Sequence, residues 1–349
     1  MVLRLPEKKK RELMKLPGIA GVGESDDIIV YVESPRAMAY IPEEVDGLPV
    51  KKIPAKFIAL QLPLVGLVMG SSKICETVTS MFKYASLSRT SRIRPVVPGI
   101  SIGHYKVTAG TLTGYAKYGS KIVGLSCNHV IGLNYLGIRI GRQGDPILQP
   151  GPYDGGKVDK DTIGYLEKWD ELRREAYTDS AIFRLAEDVE HRFDEVFGVG
   201  RPRETASPAT GMEVVKSGRT TGVTYGVIES VGATIKVYYA KTEYSILHNQ
   251  VIAYSPKIMS KPGDSGSWVG DSTFNRTIGM LIGGSADYRR SVITPMTEIE
   301  KRLGIKFIAS PITLAELLGG SISYILSITL TLLGTVKMGG RYEHPVPSH

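Results

Sequence analysis

The sequence predicts a mainly β protein, and three observations carry that prediction. Glycine is frequent, with 39 residues. The aromatic residues are mostly tyrosine, 18 against 7 phenylalanines and 2 tryptophans. From about Gly99 to Phe307, short apolar runs are broken repeatedly by Gly, Asn and Asp. Regular short strands with frequent turns point to a barrel or a sandwich rather than a helical bundle. At 349 residues the chain has room for two domains, or for one large domain with extensions.

In chain order, residues 1–70 read as a small α/β unit. Glu7 to Leu16 is a short basic helix, and Ile19 to Val22 and Asp27 to Glu33 are strands. Ile28, Val30 and Val32 alternate with Ile29 and Tyr31, so both faces are apolar, as in a strand covered on two sides. Pro35 to Ala39 opens a short helix with proline in its first turn. Val50 to Leu62 resumes extended structure. Residues 71–98 are rich in Ser and Arg, end in Arg94-Pro95-Val96-Val97-Pro98-Gly99, and read as a linker or strap. The expected strands beyond it are Thr111–Tyr118, Lys121–Ser126, Glu213–Lys216, Gly226–Val231, Thr234–Tyr239, Ile278–Ile282 and Ser291–Thr294. Thr297 to Leu303 is a terminal helical turn.

Residues 309–349 form a separate C-terminal segment and tail. Leu317 to Val336 runs 20 residues without a charge, long enough to cross a bilayer as a helix. Within it Ser327-Ile328-Thr329-Leu330-Thr331-Leu332 alternates polar and apolar residues, which is strand patterning. The reading is a packed strand or an oligomer contact, so a homo-oligomer is expected. Membrane association through 317–336 is the alternative.

The net charge of +8 is moderate and scattered, apart from Lys8-Lys9-Lys10-Arg11, which reads as the solvated face of the first helix. No nucleic-acid-binding motif accompanies it, so no nucleic-acid partner is expected. Two cysteines, Cys75 and Cys127, cannot make a disulfide framework. The six histidines show no metal-ligand spacing, so neither a metal site nor a cofactor is expected. No apolar run follows the N-terminal charges, so a cytoplasmic protein is expected, with membrane tethering by the C-terminal segment as the alternative.

Three segments carry chemistry. Leu125-Ser126-Cys127-Asn128-His129-Val130 supplies a histidine, Thr178-Asp179-Ser180-Ala181-Ile182 an aspartate, and Lys261-Pro262-Gly263-Asp264-Ser265-Gly266-Ser267 a serine in a tight glycine loop. A serine hydroxyl needs a base to take its proton, and histidine titrates close to neutral pH. A buried carboxylate holds the imidazole tautomer and stabilises the imidazolium. Asp179 leads directly into an apolar strand, whereas its competitors Asp170, Asp188 and Asp194 sit in charged stretches. The N–H groups of Gly263 and Ser265 are the expected oxyanion donors, with Gly263 at positive φ. Gly266 is expected to give a substrate backbone room beside the nucleophile. Asp264 is expected to turn inward and lock the loop.

The chain resembles the trypsin-like (chymotrypsin-fold) serine peptidases, and within them the group that includes the plant narrow-leaf proteins and prokaryotic relatives. The matching stretches are Gly99-Ile100-Ser101-Ile102-Gly103-His104 after Arg94-Pro95, then Ala109-Gly110-Thr111-Leu112 and the His129 segment. Gly144-Asp145-Pro146-Ile147-Leu148-Gln149-Pro150-Gly151 and Asp154-Gly155-Gly156 follow. The Asp179 segment, Gly218-Arg219-Thr220-Thr221-Gly222 and the Ser265 loop complete the set. N-terminal stretches at Gly18 to Gly23 and Ile41 to Val50 also match. The resemblance implies two six-stranded antiparallel barrels over residues 99–308, with His129 and Asp179 from the first and Ser265 from the second. It also implies a serine endopeptidase acting on polypeptides. No freshly cut N-terminus is evident to lock Asp264.

By the same resemblance, Met259, six residues before Ser265, lies at the base of the specificity pocket. It is not an acid, so a small or apolar residue is expected before the scissile bond. Leu281-Ile282-Gly283-Gly284-Ser285 is expected to pair with the substrate backbone, with Ile282, Gly283 and Gly284 as binding residues. The Gly218–Gly222 motif reads as a hairpin loop, or second as a contact to the cleft or a neighbour. The competing reading is a protease-fold scaffold or a virion or assembly protein with little or no proteolytic activity.

Overall fold

The computed structural model describes residues 5–59, 87–106, 109–273 and 275–310. The extended reading of 60–62, Cys75 with the first part of the linker, and the uncharged run 317–336 lie outside the described residues.

The N-terminal unit comprises one helix and a small sheet. Helix α1, Glu7–Met14, is followed by β1, Ile19–Glu24, and β2, Ile28–Val32, and every residue of both strands is buried. A single 3-10 turn spans Pro35–Tyr40. β3, Glu44–Val45, turns back into β4, Leu48–Pro54, which runs parallel to β2. The solvated reading of the basic run fails at one residue. Lys10 is buried, its ammonium 2.8 Å from the Glu24 carboxylate, and it donates to the Gly232 carbonyl at 2.7 Å. That contact seats α1 on the sheet, since a buried cation is tolerable only when paired and hydrogen-bonded. A short strand β5, Phe57–Ala59, follows β4.

The first large sheet has eight strands. They are β6 Ser101–His104, β7 Gly110–Thr111, β8 Gly114–Tyr118, β9 Lys121–Ser126, β10 Pro146–Leu148, β11 Thr162–Trp169, β12 Ala181–Leu185 and the late β19 Lys306–Phe307. Their order is β19-β8-β9-β12-β11-β10-β6-β7, and the sheet curls because Thr113 N–H, just after β7, donates to Leu125 on β9.

The second sheet contains β13 Glu213–Gly218, β14 Gly222–Tyr238, β15 Tyr244–Tyr254, β16 Trp268–Asp271, β17 Arg276–Ser285 and β18 Arg290–Pro295. These six run β15-β18-β17-β16-β13-β14, and β14 pairs again with β15, which closes the ring. The expected breaks fall mostly where turns stand. One does not: Gly226–Val231 and Thr234–Tyr239 are a single strand, β14. Its register slips between Ser230 and Ala233, so Gly232, at φ 59°, becomes a bulge rather than a turn. The bulge lets one strand serve two neighbours. Residues 222–227 pair with β13, and 231–235 pair with β1, which joins the N-terminal strands to this sheet. Helix α2, Met296–Leu303, follows β18 and ends at Gly304 in the left-handed conformation.

Both sheets turn apolar side chains inward. Val214, Ile228, Val251, Val269, Ile278 and Ile293 fill the second ring. Leu112, Leu125, Ile147, Ile182 and Phe183 line the first, in a core that continues through Trp268, Met280 and Ile282. Each such fully buried side chain contributes about 1.5–3 kcal/mol. Segment 87–98 straps the two sheets. Half-buried Arg89 donates to the carbonyls of Gly99 and Phe197 and to the Ser217 hydroxyl, at 2.7–2.9 Å.

Candidate active site

His129 sits in a single π-type turn, Asn128–Gly132, directly after β9. Leu133 ends the turn in the left-handed conformation at φ 52°, and its N–H closes back on Asn128 at 2.6 Å. Asn128 braces the turn by donating to the carbonyls of Asn134 and Asp170. Such turns are often found at functional sites, where they aim one side chain.

Asp179 lies two residues before β12 and is fully buried, as is His129. Its carboxylate accepts the His129 backbone N–H at 3.0 Å on Oδ1 and is in short hydrogen-bond contact with His129 Nδ1 through Oδ2. A third donor, the Tyr239 hydroxyl, reaches Oδ2 at 2.9 Å, and the Tyr239 ring stands edge-on to the imidazole at 5.6 Å. Burial, and then the Asp179 charge, push the Tyr239 phenol well above its ordinary range, so it stays protonated and donates. The competitors stand elsewhere. Asp188 and Asp194 are exposed, and Asp170 accepts from Thr178. Tyr239 escaped the sequence reading because nothing near it in the chain marks a second support for a carboxylate 60 residues away.

Cys127, His129 and Asp179 bring potential ligand atoms within 4.8 Å of one another, a grouping that histidine spacing alone does not reveal. The chemistry of the donors fits a hydrogen-bonded pair better than a metal. The carboxylate already accepts three donors. Burial and the Asp179 charge push the Cys127 thiol well up, which disfavours the thiolate a metal takes, and Sγ donates to the Leu281 carbonyl at 3.5 Å.

Ser265 Oγ donates to the Ile282 carbonyl at 3.1 Å. Cys127 and Ser265 thus reach successive carbonyls of β17, so the histidine segment and the serine loop meet on one strand. The loop is also gripped by the first sheet. Thr111 N–H donates to Ser265 O at 2.8 Å, Thr111 Oγ1 to Gly263 O at 3.0 Å, and Thr113 Oγ1 to Gly266 O at 2.6 Å. Gly263 and Gly266 have φ of 96° and 89°. The expected reason for Gly266 needs correction. A Cβ there meets the Thr111 carbonyl at 2.1 Å and Ser126 Oγ at 2.5 Å, so the glycine makes room for the first sheet and not for a substrate.

Asp264 turns inward and is fully buried. Oδ1 accepts the N–H groups of Thr220 and Thr221 at 2.9 and 3.1 Å, and Oδ2 accepts Lys261 N–H and the Thr221 hydroxyl at 2.9 and 2.6 Å. The cation beside it is Lys216, buried on β13 with Nζ 3.6 Å away. Burial lowers the Lys216 pKa to about 8 against the pull of Asp264. An internal lysine therefore supplies the cation beside Asp264. The Gly218–Gly222 motif is the clamp on this aspartate. Its Arg219 also makes a buried bidentate pair with Asp154, in the 3-10 turn that follows β10, with Nε to Oδ2 at 2.8 Å.

Of the expected substrate-binding residues, Ile282, Gly283 and Gly284 lie in sequence along β17. Met259 lies apart from them and is fully buried among Val214, Ile228, Val251 and Leu281. Its thioether packs where a Cβ on Gly226 would stand, at 2.9 Å, in a filled core and not at the floor of an open pocket.

Among solved structures the chain is similar to a chymotrypsin from Cellulomonas bogoriensis, with 18% identity, 62% of this chain and 99% of that chain covered, and a TM-score of 0.45. It is similar to a glutamic acid-specific serine protease, with 17% identity, 61% and 100% coverage and a TM-score of 0.46. A third is an α-lytic protease homologue, with 17% identity, 61% and 99% coverage and a TM-score of 0.45. No family model and no curated protein matches the chain.

Proposed function

We propose that the protein is a serine endopeptidase that cleaves polypeptides through an acyl-enzyme, with Ser265 as nucleophile, His129 as general base and Asp179 as the carboxylate that orients it. One observation carries the reading. A fully buried aspartate engages both the backbone N–H and Nδ1 of a fully buried histidine, which leaves Nε2 as the nitrogen for proton transfer.

In this reading the Ser265 hydroxyl donates to His129 Nε2 before reaction. The Oγ–H proton passes to Nε2 as Oγ bonds to the substrate carbonyl carbon, and the carbonyl oxygen takes the electron pair. The N–H groups of Gly263 and Ser265 receive that oxyanion. The imidazolium then returns its proton to the leaving amine as the C–N bond breaks, and water resolves the ester by the same steps. Asp179 holds the imidazole in place throughout, supported by Tyr239. The test is Ser265→Ala, which is expected to abolish both peptide cleavage and labelling by a fluorophosphonate. Undiminished cleavage in that variant overturns the assignment.

A further inference from the structure

Strand β5 lies where a substrate strand is expected. It pairs antiparallel with β17, with Ala59 opposite Gly283, Ile58 opposite Gly284 and Phe57 opposite Ser285. That stretch begins one residue beyond Ile282, whose carbonyl holds the Ser265 hydroxyl. The other edge of the same residues is already taken, since Gly283 pairs with Val292 and Gly284 with Ser291 of β18. A strand has two edges, and here both are filled by the chain itself.

The seat is built for a strand. A Cβ on Gly283 meets the Ile58 carbonyl at 2.6 Å, a backbone atom that cannot swing aside, so the bare backbone of Gly283 is what lets β5 approach. The anchor lies one residue before. Phe57 is fully buried, stands edge-on to Tyr31 at 5.2 Å, and pairs on its other side with Val237 of β14. Tyr31 is in turn hydrogen-bonded to Ser230 at 2.8 Å. Ile58 and Ala59 are only half-buried, so the end nearer Ser265 is held by the strand pairing more than by packing.

We propose that β5 is a resident occupant of the substrate-strand site, and that a peptide substrate binds β17 only when Ile58 and Ala59 leave it. The proposal rests on the peptidase reading, because it takes β17 as the substrate strand. Apparent affinity for peptide is then reduced by the fraction of molecules whose β17 edge is free.

The experiment compares the full chain with Ile58→Pro, which breaks strand pairing, and with Ile58→Gly as a milder variant. Thermal melts select the folded ones. Each is given a tetrapeptide substrate and, separately, a small fluorophosphonate that reaches Ser265 without using the β17 edge. The expected result is a rise of about ten-fold in kcat/KM for the tetrapeptide with labelling rate unchanged. A synthetic peptide of the Pro54–Ala59 sequence is expected to inhibit the folded variant and not the parent. Peptide turnover that stays level or falls in a folded variant, with labelling intact, overturns the occupant role and leaves the peptidase reading standing. Absence of labelling in the parent and the variants overturns the peptidase reading itself.

Discussion

Asp179 and Asp264 are the same residue type, equally buried, and held by different company. Asp179 accepts one backbone N–H and a phenol O–H and is hydrogen-bonded to an imidazole. Asp264 accepts three backbone N–H groups and a threonine hydroxyl, with the Lys216 ammonium 3.6 Å away. A carboxylate beside a fixed cation gains little when a second positive charge appears. One surrounded by neutral dipoles gains a great deal when the adjacent imidazole becomes a cation. The difference fits the proposed roles, Asp179 beside the proton-transferring imidazole and Asp264 holding the loop, although both stand in Asp-Ser sequences.

Four experiments sharpen or break that contrast. The largest effect is expected from Asp179→Asn, which keeps shape and burial but offers the imidazole a mixed donor and acceptor. Peptide turnover is expected to fall about 10⁴-fold with little change in melting temperature. Turnover near the parent level removes Asp179 from the mechanism.

Next is Lys216→Met, which leaves the Asp264 charge buried with N–H donors but without a cation. Urea unfolding is expected to report a loss of about 3 kcal/mol, partly recovered in the double variant Lys216→Met/Asp264→Asn. If the double variant loses the sum of the two single changes, the residues are not coupled.

Tyr239→Phe removes one of three donors to the Asp179 carboxylate. A drop of about ten-fold in turnover is expected, about 1.4 kcal/mol, with a shifted pH profile. An unchanged profile makes Tyr239 a packing residue only.

The smallest effect is in pH. Lys216 loses its proton near pH 8 in the fold, against an ordinary value of 10.5. Turnover is expected to halve near pH 8 as the Asp264 clamp loses its cation. Stability moves the other way. Between about 8 and 10.5 the unfolded chain binds the extra proton, so this lysine makes unfolding less favourable as pH rises through that window. A melting temperature that falls in step with turnover through pH 8 contradicts the assignment to Lys216.

Much of the fold was legible because it is local. Lys121–Ser126 is a strand with the expected ends, and β2 is covered on both faces as its unbroken apolar run requires. The serine loop, the histidine turn and the aspartate were legible as short motifs in order. What was hidden depends on long-range pairing. Nothing within reach of Phe57-Ile58-Ala59 in sequence says that its partner is Gly283. Lys216 looks like any strand lysine until the loop at Asp264 folds over it. Gly232 carries the signature of a turn, and only the presence of β1 beside β14 makes a bulge the better use of it.

Arg219 follows β13 of the second sheet, Asp154 lies in the turn between β10 and β11 of the first, and each is over nine-tenths buried in the pair. The guanidinium of one sheet therefore depends on the carboxylate of the other to offset its loss of water. Neither half keeps that balance alone. Such halves cannot be traded between proteins as interchangeable modules. A gene fragment encoding one sheet would carry a buried charge with no counterpart, and any exchange between relatives must move Arg219 and Asp154 together.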